Sequence, residues 1–304
     1  MSALGPLPAS IDVEAFDALH DDESRWRDLV ASIAAGYSAE PVTPATVGTV
    51  LVGLVGRDLV VKLYPPFLRD HFEFEVAALQ RLAGRLDVPT PALVALGERE
   101  GWPYHLITQL HGEPLTQVWP GLDESAKCDV LAAIGRVAAQ VHALPVNGMA
   151  ALAPDWNAFI AGQRERCYRR QQRTGLPGHL LAQVEAFVAG PLPPEGPRVI
   201  LTGEYTPMNL LYDAGLSGMF DFGDGLVGPA AYDWLGPLSF LAAGERERGD
   251  AFFEGYGVGR DEVDRVGLMR MLLLHRYSNL RAQVALAGWE RAESFEQLAG
   301  MVWP

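Results

Sequence analysis

Apolar residues along this chain keep two different periods. Trp26, Leu29, Val30 and Ile33 recur at helical spacing and predict a helix over residues 24–37, with Gly36 near its stop. Ahead of it, residues 1–23 hold Pro6, Pro8 and the acidic run Asp21-Asp22-Glu23, and read as a loose arm. Then the period shortens. VGTVLVGLV (47–55) and DLVVKLY (58–64) are rich in β-branched residues and flank Gly56-Arg57, which predicts a β-hairpin. A helix follows over 70–82, with Phe72, Val76, Leu79 and Leu82 as its stripe. Further strands are predicted around 93–96 and 102–110.

Beyond Gly112 and Pro114, which mark a break, the helical period dominates. Asp123 caps a helix whose Val130, Leu131, Ile134, Val137, Ala138, Val141 and Leu144 form one stripe ending at Pro145. Another helix spans 156–173. A strand at 198–201 and a hairpin of NLLYD and LSGMF around Ala214-Gly215 interrupt the helices. Helices over 234–243, 263–286 and 294–302 complete the chain. The distribution is α+β, with strands early and helices late.

Composition narrows the functional classes. The 304 residues leave room for two lobes. Hydrophobic residues at 49% and charged residues at 20% are ordinary for a globular protein. The net charge of −14 argues against nucleic acid or an anionic membrane as partner, and steers cationic substrates favourably. No apolar run approaches the ~18 residues of a membrane span, and the first ten residues lack a basic signal-type region. A cytoplasmic location is expected. Cys128 and Cys167 match no metal spacing, and a reduced pair is expected over a disulfide. There is no zinc-type cluster and no G-x-S-x-G, which removes those enzyme classes. Arg164, Arg166, Arg169, Arg170 and Arg173 crowd one predicted helix, either as a solvated face or as a contact to an anionic substrate group.

Two places carry candidate chemistry. Lys62 lies inside an apolar strand, among Val60, Val61, Leu63 and Tyr64, and needs an anionic partner. Glu75 falls on the apolar stripe of the next helix and needs a cation, so the two are natural partners. The second place is Leu201 to Gly225. Glu204 sits in a polar loop, Asn209 follows five positions later, and the hairpin then delivers Asp221 and Asp224. An acid, an amide oxygen and a second acid suit phosphoryl transfer, where one acid positions a hydroxyl and the other two groups hold Mg²⁺.

This order of residues resembles the aminoglycoside phosphotransferase family of small-molecule kinases. Their pattern is H-G-D-x-x-x-x-N, then a strand pair, then D-F-G. Here Thr202-Gly203-Glu204 takes the first three positions, Asn209 the amide, and Asp221-Phe222-Gly223 the metal triplet. The likeness runs from about Thr46 to Asp233, and the ending FEQLAGMVWP is similar to the hygromycin-kinase branch. The resemblance implies a two-lobed protein-kinase-like fold, with a small β-rich N-lobe over residues 1–111 and a larger, mainly helical C-lobe over 112–304. ATP or GTP with Mg²⁺ would bind between them. Thr46, Gly48 and Thr49 would cover the phosphates, or else form only a turn entering a strand. Lys62 and Glu75 would orient the phosphates, and Gln109, Leu110 and His111 would pass the adenine as a hinge. Asn209 and Asp221 would be metal ligands and Glu204 the catalytic base. Asp233, in a Tyr-Asp-Trp helix start, would hold backbone donors, and His142 would be a packed structural residue.

The implied activity is O-phosphorylation of a small-molecule alcohol acceptor, foremost an amino sugar or aminoglycoside, with antibiotic resistance as the biological role. Homoserine, choline and other metabolites stay open as acceptors. Because Glu204 replaces the family's Asp and Thr202 its His, the alternative is a nucleotide-binding pseudokinase that regulates or scaffolds a partner.

Overall fold

The computed structural model describes residues 7–45, 48–194, 196–203 and 205–304. The chain divides into two compact units, Met1–Arg85 with Pro89–His111, and Leu86–Val88 with Gly112–Pro304.

The first unit opens with helices α1 (Val13–His20) and α2 (Glu23–Ala34). Strands β1 (Val42–Ala45), β2 (Leu51–Val55) and β3 (Leu59–Leu63) follow, then α3 (Arg69–Leu82), β4 (Leu93–Arg99) and β5 (Trp102–Thr108). The five strands form one antiparallel sheet in the order β1-β2-β3-β5-β4. Side chains alternate across a strand, so each strand serves two faces. Val61 and Leu63 of β3, with Trp102 and Leu106 of β5, join Trp26, Leu29, Val30 and Ile33 of α2 in the core. Lys62 and His105, paired in register, belong to the opposite face.

The predicted loose arm is corrected here. Asp12 caps α1 through its side chain to the Ala15 amide (2.8 Å), and Phe16 and Leu19 are buried in the same core. The helix has only two apolar anchors in eight residues, too short for periodicity to register. The predicted strand 47–55 begins at Leu51; a bend covers Gly48 to Val50, and Thr46 and Val47 lie outside the described residues.

The second unit runs through β6 (Glu113–Pro114), α4 (Leu115–Val118), α5 (Glu124–His142), α6 (Trp156–Arg173), α7 (Gly178–Leu181) and α8 (Val184–Val188). It continues with β7 (Arg198–Leu201), β8 (Leu210–Tyr212), β9 (Leu216–Met219) and β10 (Leu226–Pro229). Helices α9 (Ala231–Phe240), α10 (Arg246–Tyr256), α11 (Arg265–Leu273), α12 (Leu280–Gln283) and α13 (Phe295–Val302) close it. Strand β8 pairs with β6 and β9, and β7 pairs antiparallel with β10.

Helix α10 had no sequence signal. It packs on α5 through two glycines: a Cβ at Gly135 would collide with the Phe252 carbonyl, and one at Gly255 with the Ala132 carbonyl. The predicted single helix over 263–286 is broken between α11 and α12. Arg170 Nη1 reaches the carbonyls of His275 (2.5 Å) and Arg276 (2.6 Å), replacing helical partners there. Among the described residues, no helix is long and apolar enough to cross a membrane.

Candidate active site

The first unit assembles a buried polar cluster on the sheet face opposite the α2 core. Lys62 Nζ donates to Glu75 Oε1 (2.8 Å) and Oε2 (3.0 Å). Glu75 is 1% exposed, and its carboxylate also accepts from the Tyr64 hydroxyl. His105 Nε2 lies 2.9 Å from the Tyr64 oxygen and 3.6 Å from Glu75 Oε2. Burial by itself would raise the Glu75 pKa. The Lys62 charge and the hydrogen bonding of His105 override it and hold the carboxyl well below the usual carboxylate range. A strand thus presents an ammonium whose position is fixed by an anionic counterpart on α3.

Gly48 and Thr49 are exposed in the bend before β2, while Thr46 lies outside the described residues. Gln109 to His111 follow the end of β5 without regular structure. The Gln109 amide donates to the Asp58 carbonyl (2.7 Å); Gln109 and Leu110 are half-buried and His111 is exposed.

In the second unit, β7 ends in a loop gripped by Asp233 from the first turn of α9. Asp233 Oδ2 accepts from the Thr202 amide (2.9 Å) and Oδ1 from the Gly203 amide (2.9 Å). His142 of α5 approaches the same carboxylate (Nε2 to Oδ2, 3.1 Å), and its Nδ1 lies 2.9 Å from the Tyr256 hydroxyl. Gly203 has φ 79°, and a Cβ on it would lie 2.7 Å from the Asp224 carbonyl. Only glycine serves there, on both counts. Glu204, the residue that follows, lies outside the described residues.

Asn209 donates its amide to the Thr206 carbonyl (3.0 Å), and its own carbonyl accepts from Phe220 (3.1 Å). That bond sets Asn209 beside the residue preceding Asp221, at one end of the β8–β9 hairpin. Asn209 is buried and Asp221 half-buried. Asp221 has φ 70°, the left-handed region that Asp tolerates better than most residues. Phe222 is buried, and Asp224 Oδ1 accepts from Arg276 Nη1 (2.6 Å) and the Tyr277 hydroxyl (2.8 Å). One amide oxygen and one carboxylate are hard donors of the kind that suit Mg²⁺.

The sequence of residues 44–267 matches the phosphotransferase enzyme family, APH. The chain belongs to that family. Its fold is shared with aminoglycoside 2′-phosphotransferase-IIIa, solved as a GDP complex: 18% identity, 92% of this chain and 97% of that chain covered, TM-score 0.68. The GDP and kanamycin complex of APH(2″)-IIIa matches at 18% identity over 84% and 90% of the two chains, TM-score 0.66. Macrolide 2′-phosphotransferase from Brachybacterium faecium matches at 22% identity over 91% and 98%, TM-score 0.59. The antiparallel sheet of the first unit and the helices of the second are the kinase-like α+β fold of this phosphotransferase family.

Several residues of these two clusters escaped the sequence reading. Tyr64 had a usable signal, since it stands two residues after Lys62 and so shares its face of the strand. His105 had none short of the strand register. Arg276 and Tyr277 were hidden inside a predicted helix.

Proposed function

We propose that this chain transfers the γ-phosphoryl group of ATP or GTP to a hydroxyl of a small molecule, foremost an amino sugar or aminoglycoside. The observation that carries the reading is the buried Lys62–Glu75 pair, 2.8 Å apart, in a chain of the phosphotransferase family whose second unit brings Asn209 and Asp221 to one hairpin end. Solved relatives hold streptomycin with ATP and kanamycin with GDP, which supports a nucleotide and a cationic acceptor here. The net charge of −14 suits such an acceptor.

Lys62, oriented by Glu75, meets the phosphate oxygens. Asn209 and Asp221 would hold Mg²⁺, which would supply positive charge to the phosphates. Glu204 takes the proton from the acceptor hydroxyl. The oxygen then forms its bond to the γ-phosphorus as the bond to the β–γ bridging oxygen breaks, and the nucleoside diphosphate leaves. Gly48 and Thr49 cover the phosphates, together with Thr46. Because the Gln109 amide is already bonded to Asp58, the adenine edge is read by other backbone groups of Gln109 to His111.

Two measurements test this. Mg²⁺ with ATP or GTP at about a hundredfold over Kd raises the melting temperature by the equivalent of about 2.7 kcal/mol; no shift with either nucleotide counts against the assignment. A transfer screen over aminoglycosides, hygromycin-type amino sugars, macrolides, choline and homoserine then identifies the acceptor. In that screen Glu204→Gln binds Mg²⁺–ATP as the parent does and loses transfer. Nucleotide binding by the parent with no transfer to any acceptor selects the pseudokinase reading instead.

A further inference from the structure

Lys62, Tyr64 and His105 stand on one face of the first unit's sheet. Lys62 and Tyr64 are two residues apart along the strand, and the Tyr64 amide continues the pairing by donating to the Pro103 carbonyl (2.9 Å). His105 of β5 is the register partner of Lys62. Helix α3 brings Glu75 to all three. Phe72, one turn earlier on α3, packs edge-on against Tyr64, with centroids 5.4 Å apart and planes at 66°. Tyr64 and His105 are both fully buried.

Lysine and glutamate are long and flexible. A bond between their tips fixes the distance between the two groups but not where the pair stands. A stiffer side chain has to tie one of them to the sheet. Tyr64 does so with a rigid ring and two torsions. Its hydroxyl donates to Glu75 Oε2, which Lys62 meets at 3.0 Å, while Oε1 takes the shorter Lys62 contact of 2.8 Å. The Tyr64 oxygen has one hydrogen, and it is given to Glu75. In the 2.9 Å contact with His105 the tyrosine is therefore the acceptor and Nε2 the donor. His105 Nδ1 is buried and has no hydrogen-bond partner among the described residues. An unsatisfied buried nitrogen costs stability that an apolar residue in the same strand would not. The contribution of the imidazole is its Nε2–H, which keeps the Tyr64 O–H turned to Glu75.

We propose that Tyr64 and His105 are positioning residues for Lys62, acting through Glu75. His105 donates to Tyr64 and Tyr64 to Glu75, which anchors the carboxylate to the sheet and so sets where the Lys62 ammonium stands for the phosphates. The kinetic consequence rests on the phosphotransferase reading above; the ordering of Lys62 does not.

The test uses a property of the composition: the chain has two lysines, Lys62 and Lys127. Labelling lysine with ¹⁵N therefore gives two side-chain ammonium signals, with Lys127, bonded to Glu124 (2.9 Å), as the internal reference. Tyr64→Phe keeps the ring and removes the hydroxyl. In this variant the order parameter of the Lys62 ammonium falls from the rigid range to below about 0.6, and that of Lys127 stays parental. kcat/KM for Mg²⁺–ATP falls by about tenfold to a hundredfold, the range for a misplacement of ~1 Å, while KM for the acceptor stays within about twofold. His105→Leu changes both readouts in the same direction. His105→Gln, whose amide keeps a donor near Nε2, stays within about fivefold of the parent in kcat/KM. A parental Lys62 order parameter in Tyr64→Phe overturns the proposal. So does an acceptor KM that rises as much as kcat/KM falls, or a His105→Gln variant no better than His105→Leu. Should Tyr64→Phe not fold, the two His105 variants carry the same comparison. If the parent phosphorylates no acceptor, the phosphotransferase reading fails by itself, and the Lys62 order parameter still decides the role of Tyr64 and His105.

Discussion

Replacing Lys62 by methionine reverses the pH dependence of the first unit's stability. Methionine keeps most of the lysine stem's packing and deletes the charge. Glu75, 1% exposed, is then left with the Tyr64 hydroxyl and with His105 Nε2 at 3.6 Å. In the parent, burial raises the Glu75 pKa, but Lys62 and His105 outweigh it and the carboxyl stays ionised far into acid. A carboxyl depressed in the fold stabilises it above the unfolded pKa of about 4.3, and that contribution fades only as pH drops below about 5. Without Lys62 the burial dominates and the folded pKa rises above the unfolded value. The variant fold then prefers the protonated acid, so its stability falls as pH rises from about 5 to about 8.

The size follows from the geometry. Removing one partner of a buried, doubly hydrogen-bonded pair costs about 3–5 kcal/mol, because the other charge stays buried. Protonating Glu75 relieves about 1.4 kcal/mol for each pH unit below its raised pKa. Urea unfolding, followed by tryptophan fluorescence at about pH 5.5 and about pH 8, reads both effects. The parent changes little between the two, and Lys62→Met is more stable at the lower pH by about 1–3 kcal/mol. The double variant Lys62→Met with Glu75→Gln regains much of the loss, since no buried charge remains unpaired. A single variant with the parent's pH slope, or with a loss below about 1 kcal/mol at the higher pH, refutes the reasoning.

Two other substitutions have defined outcomes. Asp221→Asn keeps a side chain that tolerates φ 70° and so retains the parental melting temperature, while titration calorimetry shows Mg²⁺-dependent nucleotide binding lost; Asp221→Ala loses the same binding and also melts lower by the equivalent of about 1 kcal/mol. Gly135→Ala forces a methyl into the Phe252 carbonyl and destabilises the second unit by about 1–3 kcal/mol in thermal unfolding, and an unchanged melting temperature there would mean that α5 and α10 are not in contact through their backbones.

What could be seen in the sequence was local. The stripe from Val130 to Val141 needs only the pitch of a helix, and all of its members are buried on α5. Asp123 caps that helix by a bond to the Ala126 amide (2.8 Å), an interaction contained within four residues. Ala214, with φ 54°, turns the β8–β9 hairpin where its Gly neighbour signalled a turn. Lys62 and Glu75 were conspicuous because each puts a charge where its own element is otherwise apolar, and such a violation asks for a partner of opposite sign. α1, α10, β10 and the break between α11 and α12 gave no such sign. Each exists because of a distant surface: α10 because Gly135 and Gly255 let two backbones touch, and the break because Arg170 takes over the carbonyls of His275 and Arg276.

The same division runs through the candidate active site. The groups assigned to the metal and the acceptor hydroxyl, Asn209, Asp221 and Glu204, fall in one fixed-spacing motif of a loop and a hairpin. The groups that hold that motif in place do not. Asp233 reaches Thr202 and Gly203 from 31 and 30 residues away, and His142 reaches Asp233 from 91. No spacing rule relates these positions; only the packing of α5 against β7 and α9 does. This is why Thr202 in a position where the family pattern has His does not by itself imply a collapsed loop. The amides that open that loop are held by Asp233 of α9, whose carboxylate His142 approaches from α5. A motif can therefore lose one of its own residues while the peptide it positions stays fixed, provided the bond is made from elsewhere in the fold.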